Sequence, residues 1–198
     1  MKEFKNIKNF IFDCDGVLYS DLEKVFGQVS KRMTSYISKK LNLDLKKAKE
    51  LQTDYFHKYN TSLNGLMIHH DINPNDFLKY VHEINLDFLE KDLFLREELI
   101  KLKAKKFVFT NGSHEHVANI TKHLGINDLF DGSFDITDCN FIPKPSIEPY
   151  EKLLQKFDIN PKETVFIEDI AKNLQPAKKL GMKTVWLVNN EYWGKKDS

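Results

Sequence analysis

The chain has 198 residues, of which 41% are hydrophobic and 30% charged. A single domain, or one domain with an insertion, can bury a full core at this length. A net charge of +1 leaves no electrostatic footprint for a nucleic acid polymer or an anionic membrane. The lysines of KLKAKK (101–106) and of the terminal GKKDS (194–198) read as solvated faces or a tail. Cys14 and Cys139 make neither a disulfide framework nor a metal-type spacing, the first residues MKEFKNIKNFIF lack the apolar run of a secretory signal, and no stretch approaches the ~18 apolar residues of a membrane span, so a cytoplasmic location is the expectation.

The first predicted strand is Asn9–Phe12. It stops at Asp13, with Asp15 and Gly16 following in NFIFDCDGVLYS. Residues 20 to about 100 then read as helices only. Phe26, Val29, Met33, Tyr36, Ile37 and Leu41 form one apolar face. Leu45, Ala48, Leu51, Tyr55 and Tyr59 form another, behind a capping Asp44. A third helix is expected over 73–84, with Asn73 as cap and Pro74 as its first residue. Four further strands are predicted at Lys106–Thr110, Ser133–Thr137, Thr164–Glu168 and Lys183–Val188. Helices over 113–125, 146–158 and 171–181 separate them, the first capped by Ser113 and closed by Gly125. Strict alternation of strand and helix argues an α/β parallel sheet covered on both faces. The expected division is a core of 1–19 plus 100–198 and a helical insert over 20–99.

Open parallel sheets bind ligands at the carboxyl ends of their strands. Those ends carry Asp13 and Asp15, then Thr110-Asn111-Gly112, then Lys144 in IPKPS, then Glu168-Asp169. Each is unremarkable alone; their order along one rim is the signal. An EF-hand loop counted from Asp13 would place Leu18 where glycine is needed and Lys24 where glutamate is needed. Clustered carboxylates suit Mg²⁺, with Asp13 and Asp169 as ligands and Glu168 either a ligand or a support. Lys144 offers a compact positive charge for a phosphate. Thr110 and the amides around Asn111 and Gly112 stand at a helix start, where phosphate oxygens are received. An Asp can attack phosphorus and a second acid can move the proton, which assigns attack to Asp13 and proton transfer to Asp15. His114 and His116, two apart on one helix, point away from each other and make no joint metal site.

FDCDGVLY (12–19), FTNGS (109–113), KP (144–145) and FIEDIAKN (166–173) together resemble the haloacid dehalogenase-like hydrolases. The resemblance implies a doubly wound, Rossmann-like core of strand order 5-4-1-2-3. It also implies Mg²⁺ held by the Asp13 carboxylate, the Asp15 carbonyl and Asp169, with a helical cap of the C1 type following the first motif. The second acid, Asp15, implies a phosphatase or phosphomutase rather than a dehalogenase. Residues 58–82 and 109–132 are similar to the pyrimidine 5′-nucleotidase branch, whose Tyr, Gly-Leu and His would be Tyr59, Gly65-Leu66 and His70; His70 is thereby a candidate substrate-binding residue. Gly16-Val17 is instead shared with phosphoglycolate phosphatase-like and phosphomutase-like relatives. The implied partner is a small phosphomonoester: a pyrimidine nucleoside 5′-monophosphate first, a sugar phosphate or phosphoglycolate as the alternative. Asn173 stands where many members of the family carry an acid.

Overall fold

A computed structural model describes residues 6–188. The terminal GKKDS lies outside the described residues. The sheet is built from β1 (Asn9–Phe12), β2 (Lys105–Phe109), β3 (Gly132–Phe134), β4 (Thr164–Glu168) and β5 (Lys183–Trp186). All its pairings are parallel and the order is β3-β2-β1-β4-β5, as the resemblance implies. Its registers place Phe12 beside both Val108 and Ile167, so the residues just beyond those partners meet at one rim.

Apolar residues in β1 do not alternate with polar ones, because both faces of the sheet are covered. Phe12 and Val108 pack with Leu99 of α5 (Leu93–Lys101) and with Val117, Ile120 and Leu124 of α6 (His114–Leu124). On the opposite face Ile11, Phe107, Phe109 and Phe166 pack with Tyr150 and Leu153 of α7 (Ile147–Lys156) and Ala177 of α8 (Ala171–Lys179). Burying each such side chain is worth roughly 1.5–3 kcal/mol.

Four helices make the insert: α1 (Leu22–Leu41), α2 (Leu45–Tyr59), α3 (Ser62–His70) and α4 (Pro74–Val81). Each start of α2, α3 and α4 has a side-chain cap. Asp44 accepts from the Lys47 amide, Thr61 from the Asn64 amide, and Asn73 from the Asn75 and Asp76 amides. Tyr36 meets Phe77 edge to face at 5.1 Å, tying α1 to α4. Helices α2 and α3 cross so closely that a Cβ at Gly65 would fall 2.4 Å from Tyr55 Cγ.

Several expectations change. Helix α3 was not foreseen as a separate element. Leu45, placed on an apolar face, is 61% exposed, since it is the first residue of α2 and precedes the part of the helix that packs. The third strand stops at Phe134 rather than Thr137. There Asp135 accepts hydrogen bonds from the Thr137 and Asp138 amides and turns the chain into a 3-10 turn over Ile136–Cys139. The fifth strand ends at Trp186, not Val188. Ser146 stands at the start of α7 without a side-chain capping bond. The insert was expected to span 20–99, but its return leg packs on the sheet. Leu86 and Leu99 are buried in the same cluster as Phe12, with Leu95 against it. Among the described residues no helix is long and apolar enough to cross a membrane.

Candidate active site

Asp13 continues β1, its amide donating to the Ile167 carbonyl at 2.9 Å, so its carboxyl emerges at the rim between β2 and β4. The chain then turns at once. The Leu18 amide reaches the Cys14 carbonyl at 3.0 Å, and Gly16 takes a φ of +79°. Gly16 is required twice over, since a Cβ there would also lie 2.5 Å from Asp169 Oδ2. This bare turn is what lets Asp169, at the end of β4, close on the Asp13 loop. Cys14 is fully buried in the core, as expected, with its sulfur within 4.8 Å of an Asp15 oxygen and a His116 nitrogen.

Lys144 is buried beneath Asp13. Its ammonium donates to Asp13 Oδ1 at 2.8 Å, Glu168 Oε2 at 2.8 Å and the Phe109 carbonyl at 2.9 Å. An ammonium has three donors, and all three are taken by protein. Lys144 was expected to bind substrate; its three donors face protein acceptors here, so what it offers the opening is charge. Asn111, expected to orient a phosphoryl group, is turned the same way. Its side chain accepts from the Lys144 amide at 2.8 Å and donates to the Lys144 carbonyl at 3.3 Å, pinning the lysine's backbone. The Gly112 amide donates to Thr110 Oγ1 at 2.9 Å, so that amide is spent inside the motif, while the Thr110 hydroxyl hydrogen stays available as a donor.

Glu168 is fully buried and has no oxygen to spare. Oε2 takes Lys144 and Asn173 Nδ2, and Oε1 takes the Asp169 and Ile170 amides. Of the candidate metal ligands, Glu168 is therefore the support for Lys144, and Asp13, Asp15 and Asp169 are the acids that line the opening. That opening leads into a cavity of about 610 Å³, which runs from the acids to Phe26, Met33, Gln52 and Phe56 under the insert.

Asp15 is held from two sides. Tyr19 donates to Oδ1 at 2.5 Å and His116 Nε2 lies 2.8 Å from the same oxygen. His116 was set aside only as a metal ligand, and its bond to Asp15 was not foreseen. A usable signal did exist, because it stands four residues before the buried Ile120 on the inward face of α6. His82, also unforeseen, follows α4 and lies against His116 with ring centres 4.4 Å apart and planes 16° off parallel. His70 is not in the cavity wall. Its ring bonds to the Tyr55 hydroxyl at 2.8 Å, and His69 pairs in the same way with Tyr59. Gly65 and Leu66 are buried inside the insert, so the residues shared with the pyrimidine 5′-nucleotidase branch shape the cap and do not touch the opening.

The sequence model of the haloacid dehalogenase-like hydrolases matches residues 7–181. The chain belongs to this family. Within it, the chain is 32% identical to phosphate metabolism protein 8 of Saccharomyces cerevisiae over 93% of its own length, and spans 63% of that protein. It is 28% identical to a glyceraldehyde 3-phosphate phosphatase of Methanocaldococcus jannaschii, over 94% of this chain and 87% of that one. Among solved structures, a phosphatase of the same family from Thermococcus onnurineus superposes with a TM-score of 0.61 at 21% identity, covering 93% of this chain and 87% of the other. A family enzyme from Bacteroides thetaiotaomicron gives 0.59 at 20%, covering 96% and 97%.

Electrostatics separate the acids of this haloacid dehalogenase-like site. Burial, with Glu168 next to it, pushes Asp13 up to about 8 despite Lys144. Burial and the Asp13 charge push Asp169 up to about 9. Burial would raise Asp15 too, but the charge and hydrogen bond of His116 and the bond from Tyr19 hold it at about 2. Carboxylate oxygens of Asp13, Glu168 and Asp169 all lie within 4.8 Å of one another. Asn173 Oδ1, on the cavity wall, is buried with no hydrogen bond. Oxygen donors crowded in this way fit a hard divalent cation, with Asp13 and Asp169 to hold it.

A stability prediction follows from the two raised values. Between about pH 4 and pH 8–9 the folded protein keeps protons on Asp13 and Asp169 that the unfolded chain has released. Stability of the metal-free protein therefore falls as pH rises through this window. Millimolar Mg²⁺ should reverse the loss. At about a hundredfold excess over its dissociation constant the gain is about 2.7 kcal/mol, or roughly 5–10 °C in Tm for a domain of this size. The shift should be larger at pH 8 than at pH 5. A calorimetric scan showing no shift at pH 8, or a larger one at pH 5, would exclude the cation site.

Proposed function

We propose that the chain is a Mg²⁺-dependent phosphomonoesterase acting on a nucleoside 5′-monophosphate, with a pyrimidine nucleotide as first choice. The observation that carries the reading is the cavity. It joins Asp13 and Asp15 to a largely apolar chamber of about 610 Å³ walled by Phe26 and Phe56. That volume is in the range of sites that enclose drug-sized ligands. A planar base finds aromatic walls there, whereas a three-carbon phosphate would leave most of the apolar wall bare. The relative of B. thetaiotaomicron has been seen with magnesium and inorganic phosphate, which supports the metal and the leaving product.

In this mechanism Asp13 attacks phosphorus in line with the leaving oxygen and becomes an aspartyl phosphate. Asp15, ionised in the free site at its value of about 2, first gains a proton, which the His116 ring bonded to its Oδ1 is placed to supply, and passes it to the leaving oxygen; it then takes one from the water that opens the acyl phosphate. Thr110 donates its hydroxyl to a phosphoryl oxygen. Lys144 keeps Asp13 aimed and offsets charge through Asp13 and Glu168. Asp13 and Asp169 would hold Mg²⁺, which would supply positive charge for the phosphoryl oxygens.

A second reading, phosphatase action on a triose phosphate, is favoured by the name of the M. jannaschii relative. A phosphate-release screen with Mg²⁺ across nucleoside monophosphates, glyceraldehyde 3-phosphate, phosphoglycolate and sugar phosphates separates them. The highest kcat/KM is expected for a pyrimidine nucleoside monophosphate. Preference for the triose would replace the nucleotide reading, and consumption of a sugar phosphate without phosphate release would make the chain a mutase.

A further inference from the structure

The cap contributes a histidine to the machinery around Asp15. His82 ends α4 and reaches across to the core, where it lines the cavity. Its Nδ1 is 2.9 Å from Ser113 Oγ, and Nε2 is 3.7 Å from the point where a Cβ would stand on Gly112. Ser113 Oγ also caps α6, accepting from the His116 amide at 3.3 Å. One hydroxyl thus touches both histidines.

His116 needs such help. Its Nε2 meets Asp15 Oδ1, but its Nδ1 is buried with no hydrogen bond, so one nitrogen alone is anchored and packing must set the rest of the ring. The flat face of His82, stacked at 4.4 Å, is the wall of that packing on the cap side. With Tyr19 and His116 both on Oδ1, the second carboxyl oxygen of Asp15 is the one turned to serve the leaving group.

The geometry points to His82 and His116 as positioning residues for Asp15, with His82 carrying the state of the cap to the acid. When the cap rests on the core, the stack is made and Asp15 is set. When it lifts, His82 leaves and His116 loosens. This inference rests on the reading of Asp15 as proton donor.

Two probes separate that role from a merely structural one. p-Nitrophenyl phosphate releases a phenolate that leaves without a proton, whereas glycerol 2-phosphate releases an alkoxide that needs one. His82→Ala should lower kcat for glycerol 2-phosphate about 10-fold or more, a part of the ~10²–10⁴ that general acids supply. For p-nitrophenyl phosphate the loss should stay within about 3-fold, general acid assistance being dispensable there. KM should be unchanged for both. His82→Phe, which keeps a flat face, should recover most of the loss. Asp15→Asn sets the upper limit of the discrimination. Equal losses on both probes in His82→Ala, with Asp15→Asn still discriminating, would overturn the positioning role and leave Asp15 as the donor. A wild-type protein that releases phosphate neither from these probes nor from any compound of the nucleotide and sugar-phosphate screen would remove the phosphatase reading, and this inference with it. Should His82→Ala fail to fold, Ser113→Ala removes the anchor of His82 and must show the same selective loss.

Discussion

Asp13→Asn is expected to abolish phosphate release, with kcat down by at least about 10⁴-fold, the scale on which removal of a nucleophile acts. The variant should nevertheless fold. An asparagine oxygen can still accept from Lys144, which bonds Asp13 Oδ1 at 2.8 Å, and the volume is unchanged. Above about pH 8, where Asp13 is ionised, removing its charge also relieves the repulsion that raises Asp169, so there the metal-free variant should melt at or above the wild-type temperature. The chemical readout is direct. An acid-quenched wild-type reaction should trap phosphate on the chain at Asp13, and the variant should trap none. Sustained turnover by a pure, folded Asp13→Asn protein would end the aspartyl-phosphate mechanism.

Lys144→Ala should be the most destabilising single change at the rim. The ammonium side chain is 1% exposed and Glu168, which it bonds, is 0% exposed. Removing it leaves two buried acids facing each other without a cation, a loss of about 3–5 kcal/mol, or roughly 6–20 °C at the usual size scaling. Activity should vanish as well, because Asp13 loses the partner that aims it. Lys144→Arg should not restore either property. A planar fork cannot place donors on three acceptors arranged around one nitrogen. Chemical denaturation of the alanine variant tests this, and a loss below about 1 kcal/mol would show that the rim does not depend on its buried cation.

The core was legible because its signals are local. The apolar runs of β1 and β4 stop at Asp13 and at Glu168-Asp169, and these two strands begin and end where the pattern does. Asp13, Asp15, Thr110, Lys144 and Asp169 could be placed on one rim from order alone. The directions in which side chains turn after reaching the rim were not legible. Nothing in the composition says that Lys144 spends all three donors inward, or that Asn111 clamps the lysine's backbone. Asp135 ended β3 early through a bond to its own following amides, a competition that an apolar run does not reveal. His82 and His116 are 34 residues apart and meet only because α4 and α6 are brought together in space. His70 misled for the opposite reason. A motif placed it near substrate, while the fold turned it onto Tyr55.

Helix α1 belongs to two cores at once. Leu22 and Val25 are packed with the sheet, and Val29, Tyr36 and Ile37 are packed inside the cap. An uninterrupted helix joins them, so the insert is not hung from a slack tether. It is mounted on a rod of about 30 Å that is clamped at its base. Tilting the base by about 5° carries the far end through about 3 Å. Any side-chain repacking that tilted the helix at Leu22 and Val25 would thus be geared up into a movement as large as a hydrogen bond is long, and the place to stiffen or loosen the cap is at the foot of this lever.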